Sequence, residues 1–162
     1  MKSTTRKTDE EQTELGELLE FSYSPGYSDM AGGYHNEDLH RDENGQWVIV
    51  SRDRPVFSNP TTIKTYAVSE EAVRDFLSFI TEKKFLELQD REESDLFATD
   101  YSPWSFTFIF RSTSETDIRP KRFYITEYRE YSKKDRSLIK AMEQRFRAMR
   151  GEVLSETTEE DR

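Results

Sequence analysis

The sequence predicts an α+β fold, in which two amphipathic helices pack on one face of an antiparallel sheet of about six strands. Short apolar-alternating segments and two segments of helical periodicity follow the order β-β-β-β-α-β-β-α. The helices are segregated from the first strands instead of alternating with them, which favours an antiparallel sheet. The stretch Ile63–Arg111 combines a strand, a helix, an acidic loop and a strand, and we expect it to organise the domain.

Alternation of apolar and polar residues predicts four strands before the first helix, at 18–24, 34–42, 46–51 and 61–68. In the first of them, Leu19, Phe21 and Tyr23 alternate with polar residues, and Pro25-Gly26 ends the strand as a turn. Asn44-Gly45 is the strongest hairpin signal in the chain, because both residue types tolerate the type I′ turn.

The first helix is predicted over 69–84. Ser69 is a suitable N-cap, and the acidic residues after it suit the positive end of the helix dipole. Its apolar stripe consists of Val73, Phe76, Leu77 and Ile80. The stripe requires an apolar surface, which a fifth strand over 105–111 supplies through three phenylalanines on one side: Phe106, Phe108 and Phe110.

A sixth strand is predicted over 121–127 and a second helix over 133–150. Ser132 and Asp135 have the spacing of a capping box, and Gly151 is expected to stop the helix. We therefore expect a disordered tail over 1–17, a single α+β domain over 18–151 and an acidic disordered tail over 152–162.

The 162 residues contain no cysteine, which excludes a disulfide framework and thiolate chemistry. The sequence contains no apolar run of about 18 residues and no apolar signal-peptide region, so we expect a cytoplasmic protein without membrane contact.

Charge is distributed unevenly along the chain, whose net charge is −9. Residues 119–150 carry eleven Lys or Arg against four acids, a net charge of +7, and residues 151–162 carry −4. This leaves −12 for residues 1–118. Such asymmetry indicates charge-directed interactions, and the overall negative charge argues against nucleic acid.

His35 and His40 are the chain's two histidines and lie among carboxylates, a combination that suits a transition metal. On a strand, however, a spacing of five residues places them on opposite faces, and only Glu37 shares a face with His35. A solvated, charged edge hairpin is the structural alternative. The sequence contains no phosphate-binding loop and no nucleophile elbow, and we expect no cofactor.

Basic and aromatic side chains alternate at the start of the basic segment, a pattern typical of binding surfaces. The candidate partner-binding residues are Arg119, Lys121, Arg122, Tyr124, Tyr128, Arg129 and Tyr131. The structural alternative is that this segment neutralises the acidic remainder of the domain, or is the solvated face of its helix.

Several short segments resemble a group of small uncharacterised α+β proteins of Gram-positive bacteria. They are Leu19-Glu-Phe-Ser-Tyr-Ser-Pro-Gly26, the Asn-Gly hairpin, Val68-Ser-Glu-Glu71, Lys84, Ser94-Asp95, Asp100 and Ser105-Phe106. The resemblance covers about 18–126, but Gln89-Asp-Arg-Glu-Glu-Ser stands where the group has a Trp-Asp-Gly-Phe run. The resemblance implies a compact α+β domain and does not indicate any activity.

We therefore predict a non-enzymatic protein-binding or accessory module whose partner is another protein. The alternative is a metal-dependent enzyme that uses His35, Glu37 and His40.

Overall fold

A computed structural model describes residues 15–28, 33–56, 59–94 and 101–159. The strands are β1 (Leu18–Ser24), β2 (Tyr27–Ser28), β3 (Tyr34–Arg41), β4 (Trp47–Arg54), β5 (Thr61–Ala67), β6 (Tyr101–Ser102), β7 (Ser105–Phe110), β8 (Lys121–Thr126) and β9 (Val153–Glu159). The helices are α1 (Glu70–Glu82), α2 (Lys133–Ala148) and a short 3₁₀ helix (Phe85–Asp90).

The main sheet has seven strands in the order β8-β7-β1-β3-β4-β5-β9, and every neighbouring pair is antiparallel. The short strands β2 and β6 pair separately. The predicted α+β class and the antiparallel sheet are confirmed. The six predicted strands and two predicted helices are present in the predicted order, and the structure adds β2, β6, β9 and the 3₁₀ helix.

Both α-helices pack on the same face of the sheet, and Phe21 of the interior strand β1 contacts each of them. Its ring centroid lies 5.2 Å from that of Phe76 in α1 and 4.8 Å from that of Phe146 in α2. Phe108 of β7 lies 4.7 Å away on the same side. The predicted phenylalanine surface thus forms the centre of the core, where edge-to-face contacts add to the burial of apolar area.

The helix termini follow the signals in the sequence. The Ser69 hydroxyl accepts a hydrogen bond from the Ala72 amide at 3.0 Å, and Ser132 and Asp135 form a reciprocal capping box. Lys84 has a φ of 54°, and this left-handed conformation follows the end of α1. Of the described residues, no helix is long and apolar enough to cross a bilayer.

The described domain extends beyond both of the predicted domain boundaries, 18 and 151. Leu15 packs against the core and the Arg111 amide donates to the Glu17 carbonyl at 2.7 Å, so 15–17 belong to the domain. The prediction of disorder from 152 is wrong over Val153–Glu159, which pair with β5 along its whole length. Residues 1–14 and 160–162 lie outside the described residues.

Candidate partner-binding surfaces and the buried charge cluster

β3 separates the two histidines, as the strand periodicity predicts. His40 pairs with Glu20 of β1 and Val48 of β4, on the face away from the helices, which we call the open face. His35 lies on the helix-covered face. Its Nε2 is 3.0 Å from Glu37 Oε2 and its Nδ1 is 3.0 Å from Asp53 Oδ1. The structure therefore brings His35 and Glu37 together but turns His40 away from them.

Glu37 is the most deeply buried charged side chain of this cluster, with 1% of its surface exposed. Its Oε1 contacts the Arg150 guanidinium, which follows α2 and also lies 5.1 Å from the Tyr66 ring centre. Burial lowers the pKa of Arg150. Because His35 and Arg150 occupy both carboxylate oxygens, the arrangement is an ion-pair network that connects the end of α2 to the sheet.

The chemistry of this cluster differs from that of an open metal site. Each His35 ring nitrogen lies 3.0 Å from a carboxylate oxygen, so both nitrogens already have partners within the chain. No group of three or more His, Cys, Asp or Glu suited to a metal ion occurs within residues 15–28, 33–56, 59–94 and 101–159.

The predicted partner-binding residues divide into exposed and packed side chains. Arg122 and Tyr124 of β8 are exposed on the open face, where Tyr124 keeps 48% of its surface accessible. Lys121 lies on the other face, with its Nζ 5.5 Å from the Phe123 ring centre. Arg119 is exposed in the preceding loop and pairs with Asp117 at 2.9 Å.

The remaining three candidates are half-buried. Arg129 donates from Nη1 to the Arg91 carbonyl at 3.0 Å, and the Tyr128 carbonyl accepts from the Ser94 amide at 2.8 Å. The Tyr131 hydroxyl donates to the Thr126 carbonyl at 2.6 Å, and burial raises the pKa of Tyr131 to about 12. These side chains hold the segment after β8 against the domain, so the seven candidates do not form one continuous surface.

Most of the basic residues of segment 119–150 form no ion pair with the described part of the chain. Ion pairs involve Arg119, Arg147 and Arg150. The exposed residues with neither an ion pair nor a cation–π contact there are Arg122, Lys133, Lys134, Arg136 and Lys140. We call the four of these residues that lie on α2 the basic surface. Arg122 lies on the opposite, open face of the sheet. The alternative of internal neutralisation therefore accounts for few of the positive charges.

The acidic strand β9 is a further surface, which the sequence analysis missed. All seven of its residues are exposed at the edge of the sheet, and they include Glu156 and Glu159 but no Lys or Arg. The β-branched residues of Val153–Glu159 favour a strand. The segment has only two apolar residues, both at its start, so it shows no alternation of apolar and polar residues that would have predicted the strand.

No protein-family model matches this chain, and no curated protein or solved structure is significantly similar to it. The geometry of these surfaces is thus the basis for a functional proposal.

Proposed function

We propose that this chain is a non-enzymatic protein-binding or accessory module that meets a protein partner through charge. The observation that carries the proposal is that exposed positive and negative side chains lie on separate elements, and most of them form no ion pair within the described residues. The basic surface lies on α2, Arg122 lies on the open face of the edge strand β8, and the acidic residues lie on β9 at the opposite edge of the sheet. Only Glu156 of β9 approaches a described cation, Lys64, at 3.8 Å.

Exposed, unpaired charges suit recognition better than stability. A surface ion pair contributes about 0–1 kcal/mol to folding, so little stability is lost when these residues face solvent instead. Charges that remain free raise the local potential, accelerate association and exclude partners of the wrong sign. Arg122 and Tyr124, side by side on the open face, add the residue types that most often dominate binding energy.

The test is capture of a partner from native lysate by the tagged chain at about 50 mM and about 500 mM salt, since the Debye length falls steeply over that range. We expect one protein that is retained at low salt and lost at high salt. Two charge-reversed variants identify the surface: Lys133→Glu with Lys134→Glu and Lys140→Glu on α2, and Glu156→Lys with Glu159→Lys on β9.

Arg74→Glu, on the exposed side of α1, is the matched control and should leave capture unchanged. Capture that is indifferent to salt and to both sets of reversals would remove charge from the explanation.

A further inference from the structure

The two edges of the main sheet differ in how their backbone groups are satisfied. At the β8 edge, the Tyr124 amide donates to the Gln89 side chain at 3.4 Å, and the Thr126 carbonyl accepts from the Tyr131 hydroxyl at 2.6 Å. The 3₁₀ helix and the segment after β8 thus cover this edge. At the β9 edge, no strand, helix or side chain within the described residues binds the outer backbone groups.

The direction of the free groups on β9 follows from the ladder. The Ala67 amide donates to the Glu152 carbonyl at 2.9 Å, and the Gly151 amide donates to the Ala67 carbonyl at 2.7 Å. By alternation along β5, Thr65, Ile63 and Thr61 also face β9, so their partners Ser155, Thr157 and Glu159 face β5. Glu156 and Thr158 therefore direct their N–H and C=O groups away from the sheet.

This free edge has the composition of a strand that can accept a partner. β9 has seven residues, contains no proline and is fully exposed, including Val153 and Leu154 with 52% and 47% of their surfaces accessible. Natural edge strands of this kind pair with other chains unless charge prevents it. Here the charge is all of one sign, so it selects a partner instead of excluding every partner.

A second copy of this chain does not fit the edge. Two β9 strands that paired with each other would place two glutamates from each copy and no Lys or Arg on neighbouring strands, so the pairing would gain no opposite charge and would carry electrostatic repulsion. Pairing of β9 with the β8 edge of another copy would require displacement of the Gln89 and Tyr131 contacts.

We propose that β9 binds an extended, basic segment of a protein partner, which adds to the sheet as an eighth strand in β-augmentation. This inference rests on the proposed function and specifies the surface and the binding mode. Main-chain hydrogen bonds to Glu156 and Thr158 supply the affinity, and Lys or Arg opposite the two glutamates supplies the specificity.

The register of β9 defines the sequence that the segment requires. Glu156 and Glu159 are three residues apart, and their side chains point to opposite faces of the sheet. An antiparallel segment therefore needs two basic residues three positions apart. Apolar residues after the second basic residue lie beside Leu154 and Val153, where β9 shifts its register against β5.

The probe is a capped seven-residue peptide of this pattern, Lys-Thr-Thr-Arg-Thr-Val-Val, titrated into the full chain and followed by amide NMR and hydrogen exchange. Two further peptides carry backbone N-methyl groups on alternate residues, one set on each edge of the strand. We expect protection of the Glu156 and Thr158 amides, and a loss of affinity of about tenfold or more for only one of the two methylated peptides.

Thr158→Pro, which removes an outward N–H, should weaken binding about tenfold, and Thr158→Ser should not. A peptide with Glu in place of Lys and Arg should bind more weakly by at least about fivefold. Equal effects of the two methylations, protection at other strands, or no binding of the basic peptide would overturn the proposed strand addition. The proposed function fails separately, if wild-type chain captures no salt-sensitive partner.

Discussion

Replacement of Arg150 by methionine should destabilise the fold because it leaves a buried carboxylate with half of its partners. Glu37 keeps 1% of its surface exposed, and the guanidinium of Arg150 meets its Oε1. Methionine retains much of the volume of the arginine stem, so the loss of charge dominates the effect. The perturbation thus measures what the ion pair contributes to the attachment of α2 to the sheet.

The magnitude follows from the two sides of the pair. Breaking a fully buried ion pair by removing one partner costs about 3–5 kcal/mol. Here His35 remains 3.0 Å from the other carboxylate oxygen, and 27% of the Arg150 side chain is exposed, so water replaces part of the guanidinium. We therefore expect Arg150→Met to cost about 2–3 kcal/mol, toward the low end of that range.

Urea unfolding at pH 7 measures this cost. With a slope of about 1–3 kcal/mol/M, the midpoint should fall by about 1 M or more. Arg136→Met, at an exposed arginine of α2, is the matched control and should change stability by less than about 0.5 kcal/mol. Glu37→Met combined with Arg150→Met should recover about 1–2 kcal/mol relative to the sum of the single variants. A small effect of Arg150→Met, or additive single variants, would refute the reasoning.

Three further changes test the core, the cap of α2 and a buried hydroxyl. Phe21→Ala should cost about 3–5 kcal/mol by urea unfolding, against a near-neutral Tyr124→Ala on the same sheet, because the Phe21 ring is fully buried. Asp135→Asn should cost about 1 kcal/mol at neutral pH. Its Arg91 and Ser132 contacts lower the pKa of Asp135, so the difference from wild type is present above about pH 4 and disappears as pH falls through the folded-state pKa. An equal difference in acid would contradict this. Tyr131→Phe should cost about 1 kcal/mol, because the hydrogen bond of the hydroxyl is lost. In a titration followed by tyrosine absorbance, the variant should lack a tyrosine that ionises near pH 12 in the wild type. An unchanged titration would contradict the partial burial of Tyr131.

The elements that the sequence predicted well are those with local signals. Asn44-Gly45 lies in the turn between β3 and β4, but the predicted type I′ turn is wrong, because Gly45 has a φ of 79° and Asn44 has no positive φ. The Gly45 amide donates instead to the Asp42 carbonyl at 3.0 Å. Ser69 and Ser132 cap the helices that the apolar stripes predicted. Each signal is a property of a few neighbouring residues, so it does not depend on contacts with distant parts of the chain.

β9 and the Glu37 network depend instead on residues that are distant in the sequence. β9 buries no side chain, and its stability comes from backbone pairing with β5, which leaves no apolar alternation to detect. Strand periodicity predicted one partner of Glu37, because His35 lies two residues away on β3 and therefore on the same face. Arg150 could not be found this way, since its position depends on how α2 crosses the sheet.

Gly151 joins these two unpredicted features, and its role differs from the one its position suggested. We expected Gly151 to stop α2, but α2 ends at Ala148 with Met149 as its C-cap, and among the described glycines only Gly26 and Gly45 have the positive φ common at such a stop. Gly151 instead donates to the Ala67 carbonyl at 2.7 Å, and a Cβ there would lie 2.7 Å from that same oxygen. The glycine thus allows the chain to pass from the buried Arg150 contact directly into the β5–β9 ladder. Because Arg150 precedes it, the ion pair with Glu37 and the pairing of β9 are anchored at adjacent residues, which connects the stability of the charge cluster to the edge that we propose as the binding surface.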